Sequence, residues 1–130
     1  MKYLLLIHNN PQALEGLSDE ERFQLIGGER LATRIEELQR DGELINVLAL
    51  ADPSSSRTVQ RRDGAPVVSD RPFLETKEFL AGALLLDCPT MERAVEIAAE
   101  LPYAAVQRIE IRPTRTLEDL DLATAVGPGR

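Results

Sequence analysis

One short stretch, residues 69–82, brings five charged side chains that could carry out acid/base or anion-binding chemistry into a single loop-to-strand junction. Carboxylates there can accept protons or hydrogen bonds, and guanidinium or ammonium groups can hold an anion. Charged residues on a loop at the end of a sheet often carry function, so the stretch predicts a ligand-binding site. Its candidate residues are Asp70, Arg71, Glu75, Lys77 and Glu78. The alternative is that Asp70 caps a turn and the other charges form solvated ion pairs that only fix the loop.

His8, the one histidine of the chain, is the remaining candidate ligand-binding residue. Because imidazole ordinarily changes charge close to neutral pH, His8 is the obvious general acid or base if the chain has one. The alternative is a strand-end histidine that hydrogen-bonds to a neighbouring loop. Cys88 has no histidine near it in sequence to act as a base, and we expect a small buried thiol. No residue is assigned a catalytic role from the sequence alone.

Composition narrows the classes of protein to which the chain could belong. With 130 residues the chain fits one domain. It has one cysteine and one histidine, which are too few for an intramolecular disulfide or a set of zinc ligands. The net charge of −7 disfavours direct binding to nucleic acid. The apolar run at residues 3–7 is too short for a signal peptide or a membrane span. We therefore expect a cytoplasmic protein with no metal, no cofactor and no membrane partner.

Hydrophobic periodicity and turn signals predict the order of elements. Strands are expected at residues 2–8, 43–50, 79–86 and 106–112, helices at residues 18–41 and 91–101, and a β-hairpin from residues 57–62 and 65–69. Residues 1–113 would form one domain, and residues 114–130 a tail that is mobile in part.

Local signals fix several of these boundaries. Ser18 and Glu21 match a capping box, and Thr90 is a suitable N-cap for the second helix. Asp63-Gly64 suits a tight type I′ turn. Gly27-Gly28 predicts a kink, a break into two helices or a close backbone approach, and Gly82 predicts a bulge or a close contact within its strand.

The element order predicts an α+β fold, a ferredoxin-like antiparallel sheet with two main helices on one face and an inserted β-hairpin. Residues 3–7 and 83–86 are apolar at every position, whereas a sheet with one wet face should alternate apolar and polar residues. Two helices cover only one face. The simplest way to cover the other face of the sheet is a second copy of the same sheet, so we expect a homodimer.

The chain resembles the DGPF branch of the YCII-related proteins in four segments. These are Met1-Lys2-Tyr3-Leu4-Leu5-Leu6-Ile7, Leu17-Ser18-Asp19-Glu20-Glu21-Arg22, residues 70–82, and Ile109-Glu110-Ile111-Arg112-Pro113. The resemblance implies a dimeric α/β barrel with a polar cleft between the sheet, the first helix and the loop at residues 70–78, which we call the signature loop. Arg71 stands where the branch usually has glycine, so the loop is expected to be reshaped. The helix histidine suspected of catalysis in related proteins has no counterpart in residues 18–41.

Two hypotheses follow from these observations. The first is a homodimer that binds a small polar or anionic organic molecule in a cleft, with cofactor-independent acid/base chemistry such as an elimination or isomerisation. The second is a non-catalytic accessory or regulatory dimer whose partner is another protein. Relatives in the DGPF branch are often associated with alternative sigma factors, which implies a link to transcription without direct DNA contact.

Overall fold

The computed structural model describes residues 1–25, 28–69, 78–105, 107–116 and 118–119. Six strands and three α-helices form this part of the chain, together with three short 3₁₀ turns. In chain order they are β1 (Lys2–Asn9), α1 (Asp19–Leu25), α2 (Gly28–Arg40), β2 (Leu44–Ala49), β3 (Thr58–Arg62), β4 (Ala65–Ser69), β5 (Phe79–Asp87), α3 (Met91–Glu100) and β6 (Arg108–Pro113).

The helix starts follow the local signals in the sequence. Ser18 and Glu21 form the complete capping box, because each backbone N–H donates to the side chain of the other, at 3.2 Å and 3.1 Å. The Thr90 hydroxyl likewise accepts from the Arg93 N–H at 3.1 Å. The predicted first helix is two helices, since α1 ends at Leu25 and α2 begins at Gly28, whose φ is +49°. A break was one of the three outcomes predicted for the glycine pair.

Four strands form an open antiparallel sheet in the order β2-β5-β1-β6. The first and last strands along the chain, β1 and β6, are therefore neighbours, and β5 lies between β1 and β2. This α+β arrangement agrees with the predicted ferredoxin-like plan in its broad outline. The sheet of a single protomer is not a closed barrel.

The core lies on one face of the sheet, under α2 and α3. Alternate residues of β1 point into it, as do alternate residues of β5, and leucine, isoleucine and alanine side chains of the helices pack against them. The buried members are Tyr3, Leu5, Ile7, Leu31, Leu38, Leu44, Leu84, Leu86, Cys88, Ala94, Ile97, Ala98 and Leu101. The intervening residues of β1 and β5 must then lie on the opposite face, which no described helix covers.

Gly82 shows both features that its place in a strand predicted. The register of β1 and β5 shifts between Ile7 and His8, opposite Gly82 and Leu80, which is a bulge. A Cβ atom on Gly82 would also lie 2.7 Å from the backbone oxygen of Leu48 on β2. Glycine is required here because the neighbouring backbone occupies the space of a side chain.

β3 and β4 pair as a separate two-stranded sheet. Asp63 and Gly64 join them with φ values of +51° and +79°, as a type I′ turn requires. That this hairpin is an insertion into the ferredoxin-like plan remains our interpretation.

Two apolar residues that fit the helical spacing are not in the core. Phe23 is half exposed, with its ring against the Cα of Gly28, and Val95 on α3 is also half exposed. Most of the predicted tail, residues 117 and 120–130, lies outside the described part of the chain. None of the helices described is long and apolar enough to span a membrane.

Candidate functional site

Only two of the six predicted site residues fall within the described part of the chain. Asp70, Arg71, Glu75 and Lys77 lie outside it, so their placement stays a prediction. His8 and Glu78 are described, and the structure brings them to the same end of the sheet.

His8 lies near the end of β1 on the face away from the helices. Its neighbours across the sheet are Leu80 on β5 and Arg108 on β6. Directly opposed residues of antiparallel strands share a face, so these three side chains are grouped together. Glu110 follows on the same face, opposite Leu6.

A chain of polar contacts links His8 to two residues of β6. His8 Nε2 lies 3.3 Å from Glu110 Oε1. Arg112 Nε donates to Glu110 Oε2 at 2.9 Å, and Arg112 Nη2 makes a second contact with the same oxygen. These donors, Arg112 first and His8 after it, lower the pKa of the Glu110 carboxyl. Glu110 is therefore an ionised acceptor at neutral pH.

An ionised Glu110 determines which nitrogen of His8 carries the proton. A carboxylate only accepts hydrogen bonds, so the Nε2 that faces it must carry hydrogen. In neutral His8 the other nitrogen, Nδ1, is then a proton acceptor, and among the described residues it has no hydrogen-bond partner. A carboxylate that orients an imidazole and stabilises its protonated form is the arrangement that general-base histidines use.

Glu78 is engaged with Arg108. Arg108 Nε donates to the two carboxylate oxygens of Glu78 at 3.1 Å and 2.8 Å, and Nη2 adds a third contact. Because the Arg108 side chain is largely exposed, this ion pair contributes little to stability. It does join the start of β6 to the residue before β5, next to His8.

A groove with a volume of about 720 Å³ follows the outer edge of β6. On the helix side it is lined by α3, the 3₁₀ turn after it and the isoleucines of β6, and His8 and Glu110 line it from the opposite face of the sheet, so the groove passes around this edge strand. The lining residues are His8, Val95, Ala98, Ala99, Ala104, Gln107, Arg108, Ile109, Glu110 and Ile111. Six of these ten residues are apolar and four are polar, a mixture that is usual in small-molecule sites.

Gln107 lines this groove, but its Oε1 atom is shielded from solvent and therefore does not face the open space. This atom has no hydrogen-bond partner among the described residues.

The sequence analysis did not identify Glu110 or Arg112 as site residues. The alternation of β6 places Arg108, Glu110 and Arg112 on one face, and that pattern is visible in the sequence. Their relation to His8 is not visible, because 102 positions separate His8 from Glu110.

Cys88 is a buried thiol, as predicted. Burial is the main cause that raises its pKa, and the nearby Glu43 carboxylate adds to the effect. It therefore has the properties of an inert core residue. Within the described ranges, no group of three or more histidine, cysteine, aspartate or glutamate side chains could hold a metal ion.

With the fold and the geometry of the site defined, similarity to known proteins assigns the chain to a family. The model of the YCII-related domain matches residues 1–118, and the chain belongs to this family. The chain is also similar to an uncharacterized protein of Rhizobium meliloti (strain 1021), with 31% identity over 119 residues that cover 87% of this chain and 91% of the relative. The suspected relationship to YCII-related proteins is thus confirmed at the level of the family.

Proposed function

We propose that this protein is a cytoplasmic homodimer of the DGPF branch that binds a small polar or anionic organic molecule at the His8 end of the sheet. The same site performs proton transfer without a cofactor. The observation that supports this proposal is the contact of His8 with an ionised Glu110, both of which line a groove of ligand size.

The proposed chemistry uses His8 as the base. His8 Nδ1 takes a proton from a carbon or oxygen atom of the bound molecule, and Glu110 stabilises the imidazolium that forms. In an isomerisation the proton returns to a different atom of the ligand. In an elimination it protonates the departing group. Arg71 and Lys77 of the signature loop would supply the positive charge for an anionic ligand.

The homodimer is supported by the uncovered face of the sheet. Its centre is apolar, with polar residues along β6, and the apolar residues are Leu4, Leu6, Leu48, Ala83 and Leu85. Leu48 is 54% exposed in the protomer. A self-complementary contact between two such faces would bury these side chains and form the dimeric α/β barrel.

A binding screen with matched variants tests the function. A library of small polar and carboxylate-bearing compounds would be screened by NMR against the wild type, His8→Ala and Glu110→Ala. Glu96→Ala is the control, because it removes another carboxylate that is paired with an arginine, on the exposed side of α3. We expect saturable binding to the wild type and the control, and at least tenfold weaker binding to the His8 and Glu110 variants. Equal affinity of all four proteins for the same compound would refute the site.

The second candidate is an accessory dimer with a protein partner, and one observation favours it. Val59 and Val68 oppose each other across the β3–β4 hairpin and are 64% and 59% exposed. An isolated two-stranded hairpin is marginally stable in water, so an apolar pair on its surface suits a contact with another chain. Affinity purification should then recover a stoichiometric protein partner that Val59→Glu releases. Recovery of the same partner with Val59→Glu would exclude this surface.

A further inference from the structure

Glu110 lies at one end of a row of directly opposed residues that crosses the whole sheet. From β2 to β6 the row consists of Leu48, Ala83, Leu6 and Glu110. Directly opposed residues of antiparallel strands point to the same face. His8 comes two residues after Leu6 on β1 and therefore points to that face as well. The two polar residues thus border the apolar patch on the uncovered face of the sheet.

A sheet that packs on the apolar patch also covers His8 and Glu110. His8 is on the same strand as Leu4 and Leu6, and it lies about 7 Å along that strand from Leu6. Glu110 is one strand spacing, about 5 Å, from Leu6. A second copy of this four-stranded sheet has the same width as the first, so face-to-face packing encloses both side chains.

The charge of the uncovered face also suits a second copy of this chain. The whole chain has a net charge of −7, so two copies repel each other over most of their surface. The charged side chains described on this face are balanced, with three positive and three negative. They are Lys2, Asp87, Arg108, Glu110, Arg112 and Glu78, which pairs with Arg108. Two copies can therefore meet here without that repulsion.

In a single protomer the site at His8 is open to water. The side chain of His8 is 26% exposed, that of Glu110 41% and that of Arg112 65%. Solvent weakens ion pairs that are this exposed, and a base in contact with bulk water lacks the electrostatic advantage of an enclosed site. The protomer alone therefore lacks one wall of the site.

From the strand register, the charge balance and the exposure of these side chains, we propose that a second copy of the chain forms the missing wall, so that the site at His8 is enclosed only in the homodimer. The inference rests on the proposed function, because it concerns the same site. A molecule held at His8 then strengthens the dimer, and dissociation of the dimer weakens its binding. The helix side of the groove at β6 is not covered by the second sheet and is the way in for the ligand.

The rate at which diethyl pyrocarbonate modifies His8 tests the enclosure, because the chain has one histidine. The wild type would be compared with Leu48→Glu and Leu48→Arg at pH 7, and light scattering would give the mass of each protein. Leu48 is three strand spacings, about 14 Å, from Glu110, so it has no contact with the site within one protomer. Opposite charges at position 48 separate the loss of the dimer from an electrostatic effect on His8. Ala32→Glu is the control, because it adds a charge at an exposed residue of α2, on the other face of the sheet.

We expect His8 to react at least about tenfold more slowly in the dimeric wild type and in Ala32→Glu than in the two monomeric variants. At a protein concentration about a hundred times the dissociation constant of the dimer, fewer than about a tenth of the chains are monomers, and the reaction is confined to them. Dilution of the wild type through this constant should accelerate the reaction to the same extent, which gives the comparison without a substitution.

Equal rates in the dimer and the monomers would overturn the proposal, as would a wild type that is monomeric at every concentration or Leu48 variants that remain dimeric. The compound screen separates this inference from the proposed function. If a compound binds through His8 but binds monomeric Leu48→Glu as tightly as the wild type, only the present inference fails. If no compound depends on His8 while His8 is protected in the dimer, the proposed function fails and the enclosure by the second copy stands.

Discussion

At the scale of single residues, Arg112, Glu110 and His8 form a sequence of contacts in which each member determines the state of the next. Arg112 lowers the pKa of the Glu110 carboxyl, and the ionised Glu110 requires a proton on Nε2 of neutral His8. The free nitrogen of His8 is therefore chosen by residues on another strand. A histidine on an exposed strand end without such a partner would have no defined orientation for proton transfer.

The ion pair between Arg93 and Glu43 leads to a prediction about how the stability of the fold depends on pH. Arg93 on α3 donates to both carboxylate oxygens of Glu43 at 2.8 Å, and this contact lowers the pKa of Glu43 below its ordinary 4.5. The pair therefore stabilises the fold at pH values above the pKa of the unfolded state. That contribution is lost as the pH falls through the lower pKa of the folded state.

Replacement of Glu43 by glutamine should therefore lower the free energy of unfolding at pH 7, and the difference from the wild type should shrink below about pH 4.5. Urea denaturation across a pH series measures this. Glu96→Gln, which removes the more exposed partner of Arg93, serves as the control and should change little. A difference that is as large at pH 3 as at pH 7 would contradict the assignment.

At the scale of the elements, Gly82 fixes how closely β2 and β5 approach. Gly82→Ala would place a methyl group 2.7 Å from the Leu48 oxygen, which is backbone and cannot rotate away. We expect a loss of about 1–3 kcal/mol in the free energy of unfolding, as for overpacking elsewhere in protein interiors. Thermal or urea denaturation measures the loss.

Ala83→Gly is a matched control, because it changes the adjacent residue of β5 by one methyl group in the opposite direction. It should cost less, roughly 0.5–1 kcal/mol, from the greater backbone freedom of glycine. If Gly82→Ala is as stable as the wild type, the close approach of the two strands is wrong.

The elements also show why only part of this structure was predictable. The capping box at Ser18, the turn at Asp63-Gly64 and the break before Gly28 depend on a few consecutive residues, so the sequence contains the whole signal. The exposure of Phe23 and Val95 depends on where the sheet lies relative to each helix. The contact between His8 and Glu110 depends on the pairing of the first and last strands, which no local pattern contains.

At the scale of the whole molecule, the uncovered face of the sheet leads to a prediction about whether the protein is a dimer. Leu48→Glu places a charge among its apolar residues, at a side chain that is already exposed in the protomer and so is not needed for its core. The wild type should be a dimer, and this variant a folded monomer, because each protomer would have to bury an unpaired carboxylate in the interface.

Light scattering coupled to size exclusion measures the mass, and circular dichroism confirms that the variant folds. Val59→Glu on the hairpin is the control and should remain a dimer. A monomeric wild type, or a Leu48→Glu variant that stays dimeric, would show that this face is not the dimer interface.

The most direct test of the central claim is an NMR measurement of the His8 ring, which is simple because the chain has one histidine. Long-range ¹H–¹⁵N correlation identifies the protonated nitrogen, and the exchange rate of its proton reports the hydrogen bond. We predict that neutral His8 carries its proton on Nε2, and that this proton exchanges slowly in the wild type and rapidly in Glu110→Ala. Neutral His8 with its proton on Nδ1, or the same exchange rate in both proteins, would contradict the positioning of His8 by Glu110.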